Sequence, residues 1–184
     1  MTAATAGEKA GRVAMAVVSG LVLLVALSVN LPRLADGRFW SDGATYHAMA
    51  GSLAFDRDLD FRAEDLARER ADWSSGPQGV FLKRVGGPGK QRLVYAKPLV
   101  YPVAAAPLAR LFGVDRGLLL LNAAALILTL WLGYGELRRR AGPLVAVAGT
   151  LAVFLAGVTP VYLLWPTPEM FNLALGTLGL VAWS

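Results

Sequence analysis

Hydrophobic positions along this chain come in long unbroken runs, not in the one-face or alternating patterns of a soluble domain. No charge interrupts Val13 to Leu31, and these 19 residues would make a helix roughly 28 Å long, close to the ~30 Å hydrocarbon core of a bilayer. Lys9 and Arg12 precede the run as in a signal peptide, but a signal's apolar region is usually about 7–15 residues, shorter than this one. A second uncharged run, Gly117 to Gly135, ends on Glu136-Leu137-Arg138-Arg139-Arg140. A third, Ala141 to Pro168, is too long for one upright helix and carries Pro143, Pro160, Pro166 and Pro168. Prolines open and break helices, so this stretch predicts a helix over 143–159, then a turn, then another helix from Pro168. That last helix is still apolar at Ser184, as expected of a piece of a longer chain.

The predicted fold class is therefore all-α, a polytopic membrane protein with about four transmembrane helices and a structured outer loop. The segments are 1–12 (cytoplasmic N-terminus), 13–34 (first span), 35–116 (outer, periplasmic loop), 117–135 (second span), 136–142 (cytoplasmic loop), 143–159 (third span), 160–167 (outer turn) and 168–184 (fourth span). Inside the loop, Asp42 to Leu53 reads as a short helix, with Tyr46, Met49, Ala50 and Leu53 at helical spacing. Phe61 to Trp73 suits a second. Val80–Val85 and Gln91–Ala96 flank Gly86-Gly87-Pro88-Gly89 and suggest a hairpin. The uncharged Pro98–Ala109 is too short to span and fits an interfacial or re-entrant helix.

Composition sharpens the picture in two places. The chain is 55% hydrophobic and only 17% charged, and 13 of its 18 basic residues fall between Arg33 and Arg116. There they are interleaved with Asp and Glu, so the net charge of +5 forms no basic stripe and a nucleic-acid partner is not expected. The other five basic residues flank the apolar runs. By the positive-inside rule they put the N-terminus and the Arg138–Arg140 connection in the cytoplasm, most simply of a bacterial inner membrane, with the long loop outside. With no Cys, disulfides, thiol catalysis and thiolate metal sites are excluded together.

Two motif echoes fail. Asp56, Asp58 and Asp60 alternate like a calcium loop, but Phe61 stands where its Gly belongs and Ala67 where its Glu belongs. Gly86–Gln91 echoes a phosphate loop, with Arg84 in place of the first Gly and Gln91 in place of Ser or Thr. Three residues hold more interest. Asp42 stands at the start of a predicted helix, where the dipole favours a carboxylate that serves as N-cap, general base or cation ligand. Lys97, in Tyr95-Ala96-Lys97-Pro98, could snorkel to headgroups or neutralise a phosphate. Glu169 is the only charge after Arg140 and begins the fourth helix. All three are expected at the outer membrane face, where they could converge on an anionic, lipid-anchored substrate. His47, the single histidine, reads as a surface or helix-packing residue.

In these motifs, taken in order, the chain resembles the N-terminal portion of the GT-C glycosyltransferases, the polytopic group that includes protein O-mannosyltransferases and lipid A aminoarabinose transferases. The matching stretches are Ser41-Asp42-Gly43-Ala44-Thr45-Tyr46, the acidic Asp56–Phe61, Ala96-Lys97-Pro98-Leu99-Val100-Tyr101-Pro102, and Pro168-Glu169-Met170. The resemblance implies transfer of a sugar from a polyprenyl-phosphate donor to an acceptor lipid, glycan or protein outside the cytoplasm. It makes Asp42 and Glu169 the catalytic acids and puts Lys97, with Tyr46 and Tyr101, at the carrier phosphate. A divalent metal on Asp42 and Glu169 is the candidate cofactor. The chain departs from the family in its small number of spans and in Gly43, where several branches carry a second acid. The rival expectation is a non-catalytic membrane module, a scaffold or assembly subunit.

Overall fold

The computed structural model describes residues 6–87 and 89–184; the expectations for residues 1–5 and for Pro88 lie outside them. The described residues are 70% helical and 7% strand, so the chain is mostly helical. Two helices, α1 (Ala6–Ser28) and α6 (Val114–Arg138), are long and apolar enough to cross a membrane.

The chain divides into two compact units. The first comprises α1 up to Leu27, residues 122–164 and residues 168–184. In α1 only Gly11, Met15, Val22 and Ala26 are buried, one stripe at helical spacing, while Val13, Val17, Leu21 and Leu24 stand exposed. The stripe meets α6. A Cβ on Gly11 would come within 2.6 Å of the Tyr134 hydroxyl, Trp131 Nε1 donates to Ser19 Oγ at 3.1 Å, and Arg138 pairs with Glu8 at 3.0 Å. Residues advance along α1 as they retreat along α6, so the two helices are antiparallel. Buried polar groups in this unit are satisfied locally: Asn122 Nδ2 donates to the Tyr162 carbonyl at 3.2 Å, and Thr129 and Thr150 bond back to carbonyls four residues earlier.

The expected third span is shorter than the sequence suggested. Gly142-Pro143 starts α7 (Pro143–Leu155), with the proline at a position where its missing N–H costs nothing. It stops at 13 residues, before Gly157, and a new helix α8 (Thr159–Leu164) follows. The last helix, α9 (Glu169–Trp183), has 15 residues. At 1.5 Å per residue α7 alone falls short of a full crossing.

The second unit holds residues 28–121 and 165–167. The first predicted span overran here. Asn30 interrupts it, its side chain accepting from Arg33 N at 3.0 Å to cap a one-turn helix α2 (Leu31–Leu34). Next come β1 (Phe39–Trp40), α3 (Ser41–Gly51) and a wider π-helical turn over Ser52–Asp56, closed by Arg57 in the left-handed region (φ 61°). Then follow α4 (Ala63–Asp72), β2 (Pro77–Gln78), β3 (Leu82–Val85), β4 (Arg92–Tyr95) and α5 (Val100–Phe112). The expected hairpin is present as β3 and β4, antiparallel from Leu82↔Tyr95 to Val85↔Arg92. β1 and β2 pair in parallel, with Phe39 opposite Pro77.

At the centre of this unit lies α3, buried on every side from Gly43 to Gly51. It shows no amphipathic stripe because Gly43, Ala44, Ala48, Ala50 and Gly51 let neighbours approach all round. Where α5 meets α6 the contact is backbone to backbone: a Cβ on Gly117 would land on the main chain of Leu108 and Ala109. Gly117→Ala is therefore expected to lower stability by about 1–3 kcal/mol, as overpacking does. Thermal unfolding in detergent against wild type, with Gly20→Ala (open space within 4 Å) as the neutral control, measures it.

Candidate functional site

The site builds from a strained corner. Ser41, directly after β1, takes φ 60°, a conformation that costs a non-glycine residue roughly 1 kcal/mol and collects at functional positions. The turn aims Asp42 out of the first turn of α3. The Thr45 hydroxyl donates to the Ser41 carbonyl at 2.9 Å and accepts from Phe81 N at 3.0 Å. One hydroxyl thus ties the corner to the segment entering β3. Phe81 in turn accepts through its carbonyl from Ala96 N at 2.9 Å, which fixes the end of β4.

Lys97 follows Ala96 directly. Its ammonium lies 2.7 Å from Asp42 Oδ1 and 4.2 Å from the centre of the Phe81 ring. Two residues 55 positions apart, selected in the sequence for separate reasons, are thus one ion pair. Asp42 is 46% exposed and Lys97 21%, so the pair sits at the surface with its cation sheltered by an aromatic face. The Trp165–Thr167 segment closes beside it: Pro166 packs over Gly43, where a Cβ would also strike the Phe39 ring.

Tyr46 and Tyr101, expected at the carrier phosphate, are buried, and their rings meet edge to face at 5.6 Å between centroids. Their ring contact joins α3 to α5. Glu169 opens α9 in the first unit, exposed and without a side-chain partner among the described residues.

A second polar cluster lies deeper, and the sequence did not reveal it. His47, five residues after Asp42, is only 1% exposed. Its Nδ1 lies 2.9 Å from both oxygens of Glu69 on α4, and its Nε2 lies 3.1 Å from Asp115 Oδ1 at the start of α6. Burial alone would push the imidazole toward neutrality, but the Glu69 and Asp115 carboxylates outweigh it and raise its pKa from 6.5 to about 10. His47 is therefore an imidazolium pinning three helices. The expectation of a surface residue fails; that of a helix-packing residue survives, with a charge added. The available signal was a lone His on a helix rich in Gly and Ala, in a loop rich in carboxylates.

The alternating acids are also accounted for. Arg62 bridges Asp58 and Asp60 at 3.1 Å each, and Arg92 reaches Asp60 at 3.1 Å. Asp65 accepts from Ser52 Oγ at 2.6 Å, from Arg62 N at 2.8 Å and from Arg68 Nη1 at 3.1 Å. Ser52 also meets the Tyr95 hydroxyl at 2.8 Å; burial raises the pKa of that phenol, so it stays neutral.

A resident divalent metal does not fit these donors. The Asp42 carboxylate is matched with an ammonium, both His47 nitrogens face carboxylates, and no three His, Cys, Asp or Glu side chains among the described residues are grouped to hold an ion. No family model matches the chain, and neither a curated protein nor a solved structure matches it.

Proposed function

We propose that this protein is a membrane glycosyltransferase of the GT-C type, moving a sugar from a polyprenyl-phosphate donor to an acceptor at the outer membrane face. The observation that carries the reading is the Asp42–Lys97 ion pair at a strained helix start. It joins a carboxylate able to accept a proton with a cation able to receive a phosphate.

The chemistry follows from that pair. In the resting state Lys97 neutralises Asp42. The donor phosphodiester, singly charged like a carboxylate but offering two oxygens to the ammonium, takes Lys97 from Asp42 on binding, which leaves Asp42 free as a base. The acceptor hydroxyl or amine attacks the anomeric carbon of the sugar. Its proton passes to Asp42, the carbon–oxygen bond to phosphate breaks, and polyprenyl phosphate leaves with the electron pair, its charge held by Lys97. Glu169 is the second acid that the resemblance implies, and no step is routed through it. No step is assigned to a metal.

Membrane placement has its own support. Only 22% of the apolar window of α1 is buried, so most of its hydrophobic surface faces outward, as a lipid-facing helix does. The antiparallel α1 and α6 bring the ends bearing Lys9, Arg12 and Arg138–Arg140 together, the arrangement a cytoplasmic end requires. In this reading α1 and α6 are two crossings, α7 with α8 and then α9 complete four, and residues 35–116 lie outside.

The test is a transfer assay on membranes containing the protein, supplied with a labelled polyprenyl-phosphate sugar. Lys97→Gln is expected to raise the donor KM at least tenfold, with Lys97→Arg recovering part of the loss. Membranes that transfer no label above empty-vector background would refute the enzyme reading and favour a scaffold. The specific observation behind that alternative is that Asp42 and Lys97 already satisfy each other.

A further inference from the structure

At the opposite end of α3 from Asp42, the second unit contains a cavity of about 410 Å³ that the proposed reaction does not use. It is lined where the chain leaves α1, through Ser28 to Arg33, and where it enters α6, through Gly113 to Arg116, with Asp72 at the end of α4 on its wall. This volume is in the range of small-molecule sites. The lining is polar in a specific way. Arg33 and Arg116 both border the cavity, and neither guanidinium has an ion-pair or hydrogen-bond partner among the described residues. Arg62, Arg68 and Arg92 of this unit are held by carboxylates, whereas Arg57, Arg70 and Arg84, which do not line the cavity, share the lack of a guanidinium partner among the described residues. Asp72 is likewise unpaired, whereas Asp115 is held from behind by His47.

Two free guanidinium groups on one cavity make a fork for a phosphate, because arginine presents paired donors matched to phosphate oxygens. The opening turn of α6 adds backbone N–H groups that lack an intrahelical acceptor. The free carboxylate of Asp72 then suits a cation carried by the same ligand. Beside the lining residue Phe112, which is half exposed, Leu111 and Leu34 are still more exposed and offer an apolar surface next to this polar cavity.

We propose that this cavity binds the headgroup of an amine-bearing phospholipid, its phosphate on Arg33 and Arg116 and its ammonium on Asp72. The inference rests on the membrane part of the reading above, which puts Ser28 and Val114 at the outer interface, and not on glycosyl transfer. Headgroup binding there would hold the two long apolar helices at a fixed depth.

The experiment uses the full chain, purified in detergent and titrated with phosphatidylethanolamine or phosphatidylglycerol while native mass spectrometry counts retained lipids. Wild type is expected to retain phosphatidylethanolamine. R33Q and R116Q should each weaken retention roughly tenfold, as loss of a charged hydrogen bond does, and D72N should abolish the preference over phosphatidylglycerol. All three side chains are exposed, and unchanged circular dichroism would show that the variants fold. Equal retention by wild type and R33Q/R116Q overturns the proposal. So does competition by soluble glycerophosphoethanolamine as effective as that of the lipid, which would make the ligand a free phosphoester. Carbonate extraction of cell membranes is run in parallel: a chain released by carbonate refutes the membrane reading itself, while a chain that stays embedded yet shows no arginine-dependent lipid refutes only this site.

Discussion

His47→Ala is expected to destabilise the second unit by about 3–5 kcal/mol, the usual cost of removing one partner from a buried charge cluster. Glu69 is 1% exposed, and in the variant its carboxyl would be left buried without its partner. A typical domain has about 5–15 kcal/mol in total, so much of the margin would go. Loss of the α3–α4–α6 junction should appear as early proteolysis between residues 57 and 80 and as a lowered melting temperature in detergent. His47→Lys, which keeps a cation but not the geometry, should recover only part of the loss. A variant as stable as wild type would show that the imidazolium contributes nothing net.

The same cluster sets a pH dependence whose sign is fixed. The His47 pKa is about 10 in the folded protein against 6.5 for an unperturbed imidazole. A raised pKa means that the folded state binds the proton more tightly than the unfolded chain. The stabilisation is therefore complete below about pH 6.5 and is lost as pH rises to about 10, amounting to several kcal/mol over that window. Unfolding midpoints measured between pH 6 and 10 should fall steadily in wild type and stay flatter in His47→Ala. A wild-type midpoint that rises over this range would contradict the assignment of the charge.

Much of the fold was legible because its signals were local. A charge-free run of 19 residues forces a long helix, and Gly-Gly-Pro-Gly between two short segments rich in Val, Leu and aromatic residues forces a turn, so α1, α6 and the β3–β4 hairpin were readable. The readings that failed needed information from outside the segment. Asn30 ends α1 early because its amide caps the next turn, which hydropathy does not register. The third apolar run stops at Leu155, because Gly157 and Pro160 weigh more than the apolarity of the residues between them. α3 looked amphipathic, yet it is enclosed on all sides, since periodicity cannot say how many neighbours a helix has. The same limit applies to the site. Asp42 and Lys97 were each visible from their local setting, and their pairing follows only from the hairpin and the Thr45 tie. His47 was passed over because both of its partners are distant in sequence, 22 and 68 residues away.

Asp42→Asn separates a working site from a structural ion pair. If the pair only holds the fold, the substitution removes a contact that is half exposed on the Asp42 side, and such pairs contribute about 0–1 kcal/mol. Asparagine has almost the same shape and can still accept a hydrogen bond from Lys97, so the melting temperature should hardly move. If Asp42 is the base, the same change removes the proton acceptor at the moment the acceptor group attacks. General-base catalysis is typically worth about 10²–10⁴-fold, so kcat for sugar transfer should fall by that factor while the donor KM, set by Lys97, changes little. The combination of large catalytic loss and negligible stability loss is what a structural pair cannot produce. Asp42→Glu, one methylene longer at a corner fixed by the φ of Ser41, should retain a few per cent of the rate, since it keeps the base but misplaces it. Transfer at the wild-type rate by Asp42→Asn would remove the base from the mechanism, and a melting temperature lowered by many degrees would return the pair to a purely architectural role.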